Sequence, residues 1–205
     1  MSTVILANGR FPSHPIPLEV LNNASRIICC DGSVENIEMI GLEPSAIVGD
    51  LDSVPENLKQ KYANRVFFNP DQDTNDLTKA ILWCNERGFK SITILAGTGK
   101  RDDHTIGNIG LLTRYCKLGL DVKMVTDFGT FVPLLTSARL ESYAGQQVSI
   151  FSFNNSTRIT TRNLKYPIAD SPLPEPWMGT LNESLGEWFE IEFDAGSLIV
   201  FQNHT

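Results

Sequence analysis

Cysteine is scarce in this chain and wrongly spaced for metal or redox work. Only Cys29, Cys30, Cys84 and Cys116 are present, with no C-x-x-C pair among them. That excludes the zinc and dithiol motifs built on such pairs. Thiols of this kind suit a reducing compartment, so a cytoplasmic protein is expected. Long apolar runs are missing as well. No stretch approaches the roughly 20 residues that span a bilayer, which argues against an integral membrane protein. The opening Met1–Leu6 segment has neither a basic leader nor a long apolar core, so no signal peptide is expected. Positive charge is in short supply: 17 Lys plus Arg stand against 24 Asp plus Glu, a net charge of −7. A chain this acidic binds nucleic-acid backbones poorly, so neither nucleic acid nor membrane is an expected partner. Hydrophobic residues make up 41% of the 205, enough for one substantial core or two small ones. Charged residues are 20%, which leaves little room for long disorder.

The charge is unevenly laid out. Lys165 is the last basic residue, and seven acids follow it: Asp170, Glu175, Glu183, Glu187, Glu190, Glu192 and Asp194. The net charge therefore sits in the final 40 residues. Such a bias reads either as a solvated acidic surface or as a field that attracts a cationic ligand. The acids also separate by type. All eight Asp of the first 103 residues fall in four short motifs. Asp is short and poor inside helices, so clusters of it favour strand ends and caps. Surface solubility would draw on Glu and Lys instead. The segregation reads as chemistry.

Short β-branched or apolar runs at 3–7, 26–30, 46–48, 65–68, 91–95 and 122–126 predict strands buried on both faces. Helical patterns lie between them at 35–40, 56–62, 77–87 and 106–118; in the last, Ile109, Leu112, Cys116 and Leu120 recur at helical spacing. This alternation implies a parallel sheet wrapped by helices. After residue 135 the pattern changes to β-rich stretches at 147–153, 158–161, 188–193 and 197–201, with no good helix and a Pro-rich loop at 167–176. The expected fold is α/β: a Rossmann-like, mostly parallel sheet with flanking helices over 1–130, then an antiparallel β-sandwich or barrel over 131–205.

Four motifs carry the aspartates. They are Cys30-Asp31-Gly32-Ser33, Gly49-Asp50-Leu51-Asp52-Ser53, Asp71-Gln72-Asp73-Thr74-Asn75-Asp76 with Lys79 beyond it, and Gly97-Thr98-Gly99-Lys100-Arg101-Asp102-Asp103-His104. Each follows a predicted strand, and in open parallel sheets the carboxyl edge of the strands is where ligands bind. Carboxylates gathered there repel unless a cation neutralises them. Oxygen donors without a His or Cys set suggest Mg²⁺, which completes its shell with water and substrate phosphates. Lys79 and Arg101 stand beside the acids, and the Gly97–Gly99 loop allows close backbone approach to a phosphate. These are the parts of phosphoryl-group transfer. Singly, each motif has a plainer role: Asp50 or Asp52 caps a helix, Asp73 or Asp76 caps the helix at 77–87, Gly97–Gly99 is a tight turn, and His104 opens a helix.

Taken together, the motifs resemble the thiamine pyrophosphokinase family. Gly49–Ser53 is similar to its metal motif, Asp71–Asp76 with Lys79 to its second acidic motif, and Gly99–His104 with Asn108 to its G-G-R-x-D-H motif. Asn8-Gly9 and Asp31-Gly32 also match, as do Asn163–Pro167 and Gly179–Glu183 in the C-terminal part. The likeness runs in order along nearly the whole chain. Departures fall at Asn163, where the family usually has Gly, at Leu181, where it usually has Ser, and at Lys100, where it usually has Gly.

The resemblance implies transfer of a pyrophosphoryl group from ATP to thiamine, leaving AMP, in a homodimer whose β-domain contributes to thiamine binding and dimerisation. It implies Mg²⁺ on Asp50, Asp52, Asp73 and Asp76, with these acids, Lys79 and Arg101 as the catalytic set. It implies ATP positioned by Asp31, Gly32, Gln72, Thr98, Arg101, Asp103, His104 and Asn108, and thiamine by Tyr166, Trp177, Thr180 and Asn182. Asp73 would orient or deprotonate the thiamine hydroxyl. Trp177, Tyr166 or Trp188 would stack on the pyrimidine or face the thiazolium, the plainer role of each Trp being β-domain core. Two rivals stay open on sequence grounds: a metal-dependent phosphoesterase, since Asp-rich motifs with Asp103-His104 also suit two-metal hydrolysis, and a nucleotide- or thiamine-binding module without catalysis.

Overall fold

The structure, a computed structural model, describes residues 2–204. The chain divides into two compact units. One runs up to Leu111 and takes in Leu118–Asp127; the other comprises Leu112–Lys117 and the residues from Phe128 onward.

The first unit alternates strand and helix: β1 (Thr3–Leu6), α1 (Pro15–Asn22), β2 (Arg26–Cys30), α2 (Val34–Met39), β3 (Ala46–Gly49), α3 (Glu56–Lys61), β4 (Val66–Phe68), α4 (Asp76–Glu86), β5 (Ser91–Leu95), α5 (Asp102–Lys117) and β6 (Asp121–Val125). The strands lie in the order β6-β5-β1-β2-β3-β4, and every neighbouring pair is parallel. Successive residues of β1 and β3 are all buried, so both faces of the sheet are covered. On one face Val4, Leu6, Ile27, Cys29 and Ile47 share a cluster with Leu21 of α1, Ile37 of α2 and Leu58 of α3. α4 lies against β2 and β3 and buries Leu77, Ala80, Ile81 and Cys84.

Four details differ from the sequence expectation. β4 is not buried on both faces: it is the edge strand, with Val66 and Phe67 half-buried and Phe68 exposed. α5 begins at Asp102 rather than at Ile106, because Asp102 and Asp103 sit in its first turn, where the helix dipole favours negative charge. The α4 cap is neither Asp73 nor Asp76 but Asn75, whose side chain accepts from the Thr78 N–H at 2.9 Å. α1 was not expected; its signals are a proline in the first turn and His14 as the cap, accepting from the Ile16 N–H.

The second unit is antiparallel, as expected. One sheet has the order β11-β9-β13-β7, built from β7 (Gly129–Leu134), β9 (Gln147–Ser152), β11 (Asn182–Glu183) and β13 (Leu198–Asn203). The other is β10-β12-β8, from β8 (Ala138–Glu141), β10 (Ile159–Arg162) and β12 (Trp188–Phe193). Val148, Ile150 and Val200 of the first sheet share one core with Ile159, Phe189 and Ile191 of the second. β7 escaped the sequence reading because Pro133 interrupts it; Pro133 stands opposite Ile199, and the strand still pairs with β13. The 167–176 loop reaches in with Leu173, which joins this core. Among the described residues, no helix is long and apolar enough to cross a membrane.

Asn163 has φ 60°, a left-handed conformation that glycine, and after it asparagine, adopts at low cost. Its side-chain amide also donates to the Trp188 carbonyl. That explains how Asn serves where a glycine would be usual. Asn163→Ala keeps the positive φ and loses the bond, an expected loss of about 2 kcal/mol; Asn163→Gly loses the bond alone, about 1 kcal/mol. Urea unfolding measures both, and an Ala variant as stable as the Gly variant contradicts this account.

Candidate active site at the carboxyl edge of the parallel sheet

Because β2, β3, β4 and β5 run parallel, the four aspartate motifs emerge on the same edge. The chain makes unusual turns there. Asp31, Leu51 and Ala96 all have positive φ, at 48°, 64° and 53°. Non-glycine residues held this way cost on the order of 1–3 kcal/mol each, and such strain concentrates at functional sites.

Asp31, directly after β2, is 2% exposed. Its Oδ2 accepts from Ser53 Oγ at 2.5 Å and from the Ser53 N–H at 3.3 Å. Its Oδ1 is buried and has no hydrogen-bond partner. Asp50 and Asp52 each bring a carboxylate oxygen to the same place, the three lying within 4.8 Å of one another. The proximity shows in their acidities. Asp52 is pushed up, first by the adjacent Asp31 carboxyl and then by the charge of Asp50. Asp50 is held down, first by the Asp52 N–H it accepts at 3.3 Å; partial burial opposes this, and Gln72 and Lys79 reinforce it. A buried carboxylate oxygen without a donor, beside two more carboxylates, is what a hard cation would complete. The group can hold a metal ion.

The metal set read from the sequence is only partly gathered. Asp50 and Asp52 are in the group and Asp31 joins them, whereas Asp73 and Asp76 are outside it. Asp76 faces Lys79 at 3.0 Å, and Lys79 also lies 3.6 Å from Asp50. Lys79 is 3% exposed. Burial pulls its pKa down, but the Asp76 and Asp50 contacts outweigh that and leave it raised. Asp73 is exposed, and its N–H donates to Asp71 Oδ1 at 2.9 Å in a turn that Thr74 closes onto Asp71 Oδ2.

A cleft of about 410 Å³ opens beside these groups, within the first unit. Asp50, Gln72, Asp76, Lys79, Thr98, Arg101, His104 and Asn108 line it. Asp31, Gly32, Asp52, Asp73 and Asp103 do not. Asp103 instead holds Arg101 in a two-point contact at 3.1 and 2.6 Å, and the Arg101 guanidinium keeps the Asp103 carboxyl well below the usual carboxylate range. Gly32 donates its N–H to Ser53 Oγ, so it braces the Asp31 turn. Asn108 is buried; it donates to the Gly97 carbonyl at 2.9 Å and accepts from Asn75 at 3.0 Å, tying the β5 loop to the start of α4. The sequence reading assigned no role to Thr74, Asn75, Lys100 or Thr105, which also line the cleft. The capping role of Asn75 was a usable signal; the others needed the third dimension.

In the second unit, Tyr166 and Trp177 are 61% and 70% exposed, so neither is core. Trp188 is half-buried, with the Arg139 guanidinium 3.9 Å from its ring centroid. Asn182 is buried and spends its amide on the Tyr166 backbone, donating to its carbonyl at 2.7 Å and accepting its N–H at 3.1 Å. Thr180 Oγ1 donates to the Trp177 carbonyl at 2.6 Å. Asn182 and Thr180 thus set the backbone that presents two exposed aromatic rings.

The fold and the site together define an α/β protein able to hold a cation and an anionic ligand at a strand-end cleft. Comparison with known proteins narrows this. The thiamin pyrophosphokinase catalytic-domain model matches residues 18–124, and the thiamin pyrophosphokinase substrate-binding-domain model matches 129–201. The chain belongs to the thiamin pyrophosphokinase family. It is similar to thiamin pyrophosphokinase 1 of Caenorhabditis elegans, 34% identical over 46% of this chain and 42% of that protein. It is 29% identical to thiamine pyrophosphokinase 1 of rice, over 56% of this chain and 52% of that one. These matches span about half the length of the relatives. The fold is that of the Bacillus subtilis thiamine pyrophosphokinase structure, with a TM-score of 0.84 at 22% identity over 99% of both chains.

Removing the Lys79 charge leaves Asp50 and Asp76 without their cation. Lys79→Met is expected to cost about 3 kcal/mol at pH 7, the scale for breaking a buried ion pair. The sign follows from the shifts. A raised Lys79 stabilises below its ordinary pKa, and a lowered Asp50 stabilises above its own. The difference between wild type and variant should therefore be full from about pH 5 to 9 and shrink toward acid as the carboxylates protonate. Urea melts at pH 7 and at about pH 2.5, far enough into acid to reach the lowered Asp50, read it; an equal loss at both contradicts an electrostatic role.

Proposed function

We propose that the protein is a thiamine pyrophosphokinase, moving the pyrophosphoryl group of ATP to the hydroxyl of thiamine with release of AMP. The observation that carries this is the Asp31–Asp50–Asp52 group beside a cleft that holds Lys79 and Arg101, in a chain of this family. Asp50 and Asp52, with Asp31 as the third oxygen donor, would hold Mg²⁺. When bound, the ion neutralises phosphate charge and polarises the phosphoryl oxygens. Lys79 anchors the acid loops and Arg101 faces the charge that develops as AMP leaves. Thr98, Gln72, His104 and Asn108 position the nucleotide, while Asp103 and Gly32 keep Arg101 and the Asp31 turn in place. The new bond joins the thiamine oxygen to the β-phosphorus. The bond from that phosphorus to the bridging oxygen breaks, and AMP takes the electron pair. The hydroxyl proton goes to a carboxylate at the rim of the cleft, for which Asp73, outside the lining but between the lining residues Gln72 and Thr74, is the candidate. Catalysis of this class rests on positioning and electrostatics.

The β-rich unit supplies the acceptor site in this reading. Tyr166 and Trp177 are exposed π-faces for a cationic ring, Thr180 and Asn182 hold them, and the acidic final segment favours a cation. The protein acts as a homodimer in the cytoplasm, with the exposed Trp177, Met178, Leu181 and Leu185 available for association.

Incubation with Mg-ATP should yield AMP only when thiamine is present, with thiamine diphosphate formed in equal amount by chromatography. Asp52→Asn is expected to lower that rate by roughly 100-fold, the upper end of what losing even an outer-shell metal partner costs, with an unchanged circular dichroism spectrum. Release of inorganic phosphate without an acceptor would instead support the hydrolase reading. Near-normal turnover in Asp52→Asn would sink the metal assignment.

A further inference from the structure

We propose that Lys100, a cleft cation with no ion pair among the described residues, binds the phosphate chain of the nucleotide. The inference rests on the phosphotransfer reading above. The lysine and arginine side chains lining the cleft are Lys79, Lys100 and Arg101. Two of them are already answered. Lys79 is buried against Asp76 and Asp50, a trio whose net charge is negative. Arg101 is held in two-point contact by Asp103, a pair with no net charge. Lys100 makes no ion pair among the described residues; its Nζ donates to Asn8 Oδ1 at 3.1 Å. A neutral amide oxygen is a weaker partner for an ammonium than a phosphate oxygen, because the phosphate adds the attraction of a full opposite charge to the hydrogen bond. Exchange of Asn8 for an incoming phosphate is therefore downhill.

The position is built rather than incidental. The Asn8 and Lys100 loops are joined by two backbone bonds, Gly9 N–H to the Ala96 carbonyl and Arg10 N–H to the Thr98 carbonyl, each 2.8 Å. The join is so close that a Cβ on Gly9 would stand 2.2 Å from the Ala96 oxygen. The Lys100 backbone thus leaves from a fixed point on the wall, while its flexible four-carbon stem lets the ammonium turn from Asn8 into the cleft.

The test is ATP binding by calorimetry in the presence of Mg²⁺, over a series of salt concentrations. Lys100→Gln is expected to weaken ATP binding roughly tenfold, the scale of a charge-assisted contact at a half-open site, and to flatten its salt dependence. Lys100→Arg should restore most of both. Lys90→Gln is the matched control: Lys90 also donates to an amide, Asn85 Oδ1 at 2.7 Å, but lies outside the cleft, and its loss should leave binding unchanged. Binding by Lys100→Gln within twofold of wild type overturns the inference alone. So does weaker binding with an unaltered salt slope, which marks a structural role, or an equal effect in Lys90→Gln. A wild-type protein that binds no ATP overturns the phosphotransfer reading and this inference with it.

Discussion

A buried lysine shared by two carboxylates holds the catalytic-looking edge of this molecule together. Lys79 comes from the first turn and a half of α4, Asp76 from the start of that helix, and Asp50 from the end of β3. Its ammonium is nearly inaccessible, and the two acids that face it offset the cost of burying its charge. The acids in turn tolerate one another only because it is there. This contact ties the second and third aspartate loops. Asp31, reached through Ser53, ties the first to the second. Asn75 and Asn108 tie the third to the fourth. Four loops of separate strands become one rigid rim, and a rim of fixed dipoles and charges is what phosphoryl chemistry uses.

That rim is held at a local cost. Three non-glycine residues in it take positive φ, and one carboxylate oxygen is buried without a donor. The rest of the first unit offsets this with a sheet covered on both faces and helices anchored by Leu21, Ile37, Leu58 and Ile81. The second unit repeats the theme on a smaller scale. Leu181 takes positive φ and is 70% exposed, next to Asn182, which is buried and fully engaged with the Tyr166 backbone. Exposed rings on a braced backbone lose little freedom on binding, which favours recognition.

Much of this was legible in the linear order of residues. The alternation of apolar runs and helical patterns up to residue 126 reflects a parallel sheet whose strands see no solvent on either side, and the aspartates fall at strand ends because Asp suits caps and turns. What periodicity could not register was edge position: β4 reads like the other strands, yet Phe68 is exposed because nothing pairs beyond it in its own unit. Pro133 concealed β7, since a proline weakens the local signal while pairing on the β13 side survives. The cap of α4 fell to Asn75 because one residue in the turn had the backbone angles to aim its side chain at Thr78.

The chain order alone carried the change from alternating strand and helix to a β-rich pattern and the acidic loops at the strand ends, because burial patterns and residue chemistry are local quantities. Which acids share a site was decided only in three dimensions. Asp31 is 19 and 21 residues from Asp50 and Asp52 yet joins them, while Asp76, in the motif with Lys79, is taken by that lysine. The same holds for the cations: the sequence singled out Lys79 and Arg101, and folding pairs both with acids while leaving Lys100 on an amide. Charge pairing depends on distances of a few ångströms between loops, and the turns that set those distances, at Asp31, Leu51, Ala96 and Gly9, take conformations or close approaches that only the assembled sheet imposes.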